Sequence, residues 1–151
     1  MEPTVFPAVF AALFAAHQVG DHWVQSSCQA AAKGGTGWAA RRACAAHVAS
    51  LTVTKLVFLV PLALLGISLH PAALLVALAV DAATHYWADR RTTLAALAAR
   101  VGKGGFYRLG APREGRDDNP SLGTGAYALD QSFHIAWLFV AALIASIGGA
   151  V

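Results

Sequence analysis

The feature that most constrains this chain is a set of acidic and imidazole side chains spaced four apart inside long apolar runs: His17 with Asp21, Asp81 with His85 and Asp89, and Asp130 with His134. On a helix that spacing puts side chains on one face, about one turn apart. Each set is therefore a polar stripe on an otherwise apolar helix. Ionisable groups on such helices are costly unless they face partners, a metal or a water-filled cavity. The stripes are expected to meet inside a bundle.

Composition sets the surroundings of that bundle. Of 151 residues, 57% are hydrophobic and only 13% charged, against roughly 25% charged in an ordinary soluble domain. The expected fold is all-α: a single integral membrane domain over 1–151, a polytopic four-transmembrane-helix bundle. Its spans are expected near 5–25, 46–67, 71–90 and 126–148, each close to the roughly 20 residues that cross a bilayer. Pro3 and Pro7 suit the start of the first span, and Pro61 predicts a kink in the second. Pro71 begins the third after the short break from Gly66 to His70. The N-terminal run has neither a basic leader nor a convincing cleavage site, so it is expected to stay as the first span.

The basic residues fall between the spans. Lys33, Arg41 and Arg42 lie between the first and second. Arg91, Arg100, Lys103, Arg108, Arg113 and Arg116 lie between the third and fourth, set against Glu114, Asp117 and Asp118. The connection between the second and third has no Lys or Arg. The positive-inside rule then puts loops 26–45 and 91–125 in the cytoplasm and both termini outside. A short interfacial helix is expected over 92–101 and a mobile loop over 110–125. The net charge of +3 thus reads as membrane orientation, and no specific nucleic-acid partner is expected. Cys28 and Cys44 match no four-ligand zinc spacing and are expected to be free thiols.

At about 1.5 Å per residue from the cytoplasmic helix ends, His17, Lys55, Asp81 and His134 fall on the order of 12 Å inside. Asp21, His85 and Asp130 fall one turn shallower. Imidazole and carboxylate donors at common depths suit a divalent metal. The candidate ligands are His17, Asp21, Asp81, His85, Asp130 and His134, holding one or two ions, with zinc or manganese ahead of iron or magnesium. Asp89 is a seventh ligand or a water-positioning group, and some carboxylates could instead orient His rings. Asp89, Asp130 and Lys55 are the candidate catalytic residues: either carboxylate would position water, and Lys55 would hold an anionic group. Lys55 reads equally well as the counter-ion of Asp81. Arg90 and Arg91 are expected to snorkel at the mouth, His22 to sit at the interface, His47 to sit there at a helix entrance or to orient a ligand, and Gln25 to edge the site.

The elements His17-x-x-x-Asp21-x-x-x-Gln25, Asp81-Ala-Ala-Thr-His85-Tyr-Trp-Ala-Asp89 and Asp130-Gln131-x-x-His134 together resemble DUF3307, a family of small bacterial membrane proteins without an assigned substrate or mechanism. The resemblance covers almost the whole chain and implies a bacterial cytoplasmic-membrane location. More remotely, the His-x-x-x-Asp element is similar to that of bacterial inner-membrane proteins classed as metal-dependent hydrolases.

Three functions are therefore expected to compete. The first is a metal-dependent hydrolase acting on membrane lipid or another amphiphilic anionic phosphate. The second is a divalent-ion or proton transporter, for which so few spans suggest a homodimer. The third is a membrane interaction or regulatory protein that docks through its basic 91–116 region. Lys103-Gly-Gly and Gly123-Thr-Gly lack the spacing of a phosphate-binding loop.

Overall fold

In the computed structural model, which describes residues 2–111 and 124–151, the periodic apolar runs become helices. Helix α1 (Val5–Val19) buries Val5, Val9, Leu13 and Ala16 at the three-to-four spacing of a single face. It passes into a π-helical turn (Gly20–Val24). Helices α2 (Ser27–Ala32), α3 (Gly37–Leu64), α4 (Pro71–Asp89), α5 (Thr92–Arg100), α6 (Gly104–Tyr107) and α7 (Gly125–Ala145) follow. Among the described residues there is no β-sheet, only an isolated bridge between Ser68 and Ala150. The all-α expectation holds.

Four helices close a ring: α1 packs on α3, α3 on α4, α4 on α7, and α7 on α1. One end of its interior is apolar, built from Val5, Val9, Leu13, Leu59, Leu138 and small residues such as Ala77 and Ala142. Phe6 meets Phe139 edge to face at 5.2 Å on the flank of this layer. The small residues let the backbones approach, and the large ones fill the space between.

Two of the four expected spans, α3 and α7, are long and apolar enough to cross a membrane. The other two fall short for identifiable reasons. Helix α1 stops at 15 residues, where the backbone enters the π turn. Helix α4 carries Asp81, His85 and Asp89 in its C-terminal half.

The segment expected as a loop over 26–45 is mostly helical. Ser26 and Gln29 form a reciprocal capping box that starts α2. Helix α3 begins at Gly37, nine residues before the apolar span, because Thr36 supplies an extended N-cap and residues 39–46 are rich in alanine. Hydropathy measures apolar length, not helix length. Pro61 lies in the last turn of α3. Past it, Gly66 takes φ 92° while its N–H bonds Ala63 O at 3.1 Å and the Ile67 N–H bonds Leu62 O at 3.0 Å. That pair of bonds is a Schellman end, which needs a left-handed residue and so favours glycine. Helix α5 falls where the short helix over 92–101 was expected. Residues 112–123, including Arg113, Glu114, Arg116, Asp117, Asp118 and most of the expected mobile loop, lie outside the described residues.

Helix α7 starts against α6 with no space to spare. A Cβ on Gly125 would come 1.7 Å from the carbonyl oxygen of Phe106. That atom is backbone and cannot swing away. Gly125→Ala should therefore destabilise the protein by about 1–3 kcal/mol, the usual cost of overpacking, read as a lower thermal midpoint in detergent. An unchanged midpoint would show that α6 yields freely.

Candidate metal centre

The apolar face of α1 leads directly to His17, which is fully buried. The π turn then re-aims the next residues, with the Gln25 N–H bonding Gly20 O at 2.9 Å. Such turns insert one extra residue per turn and are frequent at functional sites. Gly20 lies against α3, where a Cβ would come 2.2 Å from Leu51 Cδ1. This close approach brings Asp21 to His47, one turn before Leu51 on α3: Asp21 Oδ1 is 3.0 Å from His47 Nε2.

Helix α4 completes a cage around that point. His47 Nε2 is 3.1 Å from His85 Nε2 and 3.4 Å from Asp89 Oδ2. His85 Nε2 is 3.3 Å from Asp89 Oδ2 and 3.6 Å from Asp21 Oδ1. Four donor atoms from three elements thus stand 3.0–3.6 Å apart in every measured pair. Helix α7 adds a second side. His134 stacks on His85 with ring centroids 4.0 Å apart. Its Nε2 is 3.5 Å from Asp130 Oδ1 and 3.9 Å from Asp89 Oδ1.

Among the described residues, three overlapping sets can each hold a metal ion: Asp21, His85 and His134; His47, His85 and Asp89; and Asp89, Asp130 and His134. Of the six ligands expected from the sequence, Asp21, His85, Asp130 and His134 fall in these sets. His17 lies beside them, its ring 5.1 Å from that of His134 and its Nε2 3.6 Å from Asp21 Oδ2. Asp81 is one turn deeper and ion-paired with Lys55, both buried. In this arrangement Lys55 neutralises a carboxylate rather than facing open space.

His47 and Lys33 join the site although the sequence pattern names neither as a ligand. Hydropathy puts His47 at a helix entrance. Because α3 starts at Gly37, His47 instead lies three turns inside, wholly buried on the face of Leu51 and Lys55. Its spacing of four and eight from those residues was the available signal. Lys33 folds back from the α2–α3 connection to place Nζ 2.8 Å from Asp89 Oδ1. Arg90 fixes that connection by donating to the Lys33 and Gly35 carbonyls, and Arg91 by donating to Ala30 O at 3.1 Å. Both arginines are thus tied to protein backbone. His22 bonds Gln18 O and Tyr127 Oη from an exposed position, and both cysteines are free.

The donors sit at the base of an open cavity of about 570 Å³. Asp21, Asp89 and Asp130 reach it from below, and Lys33, Arg91, Gln25, Tyr107, Tyr127 and Gln131 are on its walls. The residues fit a metal because their buried atoms lack other partners. His17 Nε2, Asp21 Oδ1, Asp89 Oδ2 and His134 Nε2 make no hydrogen bond, although each lies within 3.9 Å of another nitrogen or oxygen of the site. Buried polar atoms are nearly always satisfied, so unpaired donors converging on one space call for a cation or water there. The mixed nitrogen and carboxylate set suits zinc, manganese or iron.

A family model for DUF3307, a protein family of unknown function, matches residues 9–149, and the chain belongs to that family. No curated protein and no solved structure matches the chain.

The Lys55–Asp81 pair can be separated from the centre by mutation. Lys55→Met strands a buried carboxylate and should cost about 3–5 kcal/mol, whereas Lys55→Met with Asp81→Leu removes both charges and should regain most of that. Thermal unfolding in detergent, run as a double-mutant cycle, reads the difference. Equal loss in the single and double variants would contradict a mutual counter-ion role.

Proposed function

We propose that the chain is a membrane-embedded, metal-dependent hydrolase that acts on an amphiphilic or lipid-linked phosphate. The observation that carries this reading is the junction of unpaired buried donors with an open cavity whose wall bears Lys33 and Arg91. A structural polar network would be expected to satisfy its own atoms and would need no cavity. The membrane placement rests on α3 and α7 and on exposed apolar side chains of α1 and α4, among them Phe14, Leu75 and Val76. All four helices span the bacterial cytoplasmic membrane, with both termini outside and the cavity opening to the cytoplasmic side.

Asp21, His47, His85, Asp89, Asp130 and His134 would hold one or two divalent ions, and His17 borders them. A bound ion would supply positive charge to polarise a phosphoryl oxygen and to acidify water. The protein's own groups do the rest. Lys33, held on Asp89, and Arg91, held on Ala30 O, present fixed positive charge to the phosphate at the cavity wall. Asp130, the most accessible of the carboxylates near the donors, takes a proton from water as its oxygen attacks phosphorus. The ester P–O bond breaks, and the leaving alkoxide receives the proton. Lys55 acts from the layer below by pairing with Asp81 and holding the helices in register.

The transport reading is disfavoured by the apolar layer of Val5, Val9, Leu13, Leu59 and Leu138, which closes the bundle at the end away from the cavity. Past the Lys55–Asp81 pair, an ion leaving in that direction would face this apolar layer.

Purified protein in lipid nanodiscs should release phosphate or a phosphorylated headgroup from an anionic lipid mixture, and chelation should stop it. Asp130→Asn should lower kcat by about 10²–10⁴-fold, whereas Lys33→Ala should chiefly raise KM. Metal-dependent ion flux in vesicles without chemical change of any lipid would replace the hydrolase with a carrier.

A further inference from the structure

The centre has two unlike halves, and the two oxygens of Asp89 face different ones. Oδ2 lies 3.3 Å from His85 Nε2 and 3.4 Å from His47 Nε2. Oδ1 lies 3.9 Å from His134 Nε2 and 2.8 Å from Lys33 Nζ. We propose that the protein holds two ions at once: an inner one enclosed by His47, His85, Asp21 and Asp89, and an outer one held by Asp130 and His134, with Asp89 bridging them.

Distances support the inner position. Four ligands in a tetrahedron about 2.0–2.1 Å from an ion stand about 3.3–3.4 Å from one another. The five measured separations among His47 Nε2, His85 Nε2, Asp21 Oδ1 and Asp89 Oδ2 run from 3.0 to 3.6 Å, on both sides of that value. Two imidazole nitrogens and two carboxylate oxygens at these distances repel unless protons or a cation lie between them. Asp21 Oδ1 and Asp89 Oδ2 make no hydrogen bond. His47 is fully buried, and Asp89 and His85 are each 2% exposed. This half is the more buried of the two, and its donors suit zinc.

The outer half differs in donors and access. Asp130 lines the cavity with its side chain a quarter exposed, and His134 Nε2 is buried without a hydrogen-bond partner. Two protein ligands and the shared Asp89 leave coordination positions open to the cavity. The candidate sets overlap pairwise in one residue, and only a carboxylate shares readily, since each of its oxygens can bind a different ion while a neutral imidazole offers one lone pair. Of the shared residues His85, His134 and Asp89, Asp89 alone can bridge. The Lys33 ammonium can remain on Oδ1, which has a second lone pair.

This inference rests on the metal reading above but not on the hydrolytic one. Apoprotein in detergent is titrated with Co²⁺ and followed by visible absorption and by bound metal per chain. Wild type should bind about two ions, the first giving the intense absorption of four-coordinate cobalt and the second adding only a weak band. His47→Ala should abolish the intense band. Asp130→Asn, a change on the cavity wall, should lower the stoichiometry by about one and leave that band. Saturation at one ion, an intense band that survives His47→Ala, or loss of both ions in a helical Asp130→Asn protein would overturn the proposal. If two ions bind and no phosphate is released, hydrolysis fails and the two-ion centre stands. One ion with turnover gives the reverse, and no binding removes both.

Discussion

The structure depends on the cost of burying ionisable groups that do not satisfy one another. Moving a charge or an unpaired polar atom away from water costs several kcal/mol, and here four helices direct such atoms into one space. The chain handles the cost in two ways. One layer deep, Lys55 and Asp81 cancel each other. One turn nearer the cavity, imidazoles and carboxylates are left with neighbours but few bonds, an arrangement that a cation resolves. The apolar layer beyond them supplies the packing that holds both in register.

The local backbone serves this convergence. A straight α-helix after His17 would keep Asp21 on the same face and leave its approach to α3 to chance. The π turn and the missing side chain of Gly20 bring the two helices together at Leu51, so that Asp21 meets His47. At the cavity rim, Arg90 is anchored on carbonyls of the α2–α3 connection and Arg91 on Ala30 O in α2, and that connection presents Lys33 to Asp89. Arg91 adopts φ 56°, a region sparsely occupied by side-chain-bearing residues, at the junction of α4 and α5. A strained arginine tied to the loop that carries Lys33 links the geometry of the rim to that of the centre.

Much of the fold was legible because its signals are periodic. The spacing of four in His17 and Asp21, in Asp81, His85 and Asp89, and in Asp130 and His134 fixed which helix faces turn inward, and the rise per residue puts them in two adjacent layers of one end of the bundle. The pairing of Lys55 with Asp81 was one of two readings left open, and nothing in a single sequence ranks a counter-ion against a ligand. His47 was discounted because hydropathy placed the helix start near residue 46. The alanine-rich beginning at Gly37 is a propensity signal, and the apolar count does not register it. Lys33 could not be found by periodicity at all, since it reaches Asp89 from a connection whose path is set by Arg90 and Arg91.

The claim on which the account stands is that these converging donors enclose a cation. A structure of the protein in a membrane environment, with anomalous difference density collected across the zinc and manganese edges, tests it most directly. The account predicts an anomalous peak among His47 Nε2, His85 Nε2, Asp21 Oδ1 and Asp89 Oδ2. A protein purified with metal available whose cage shows only water, or whose carboxylates are each taken by Lys33 or a protonated histidine, would contradict it.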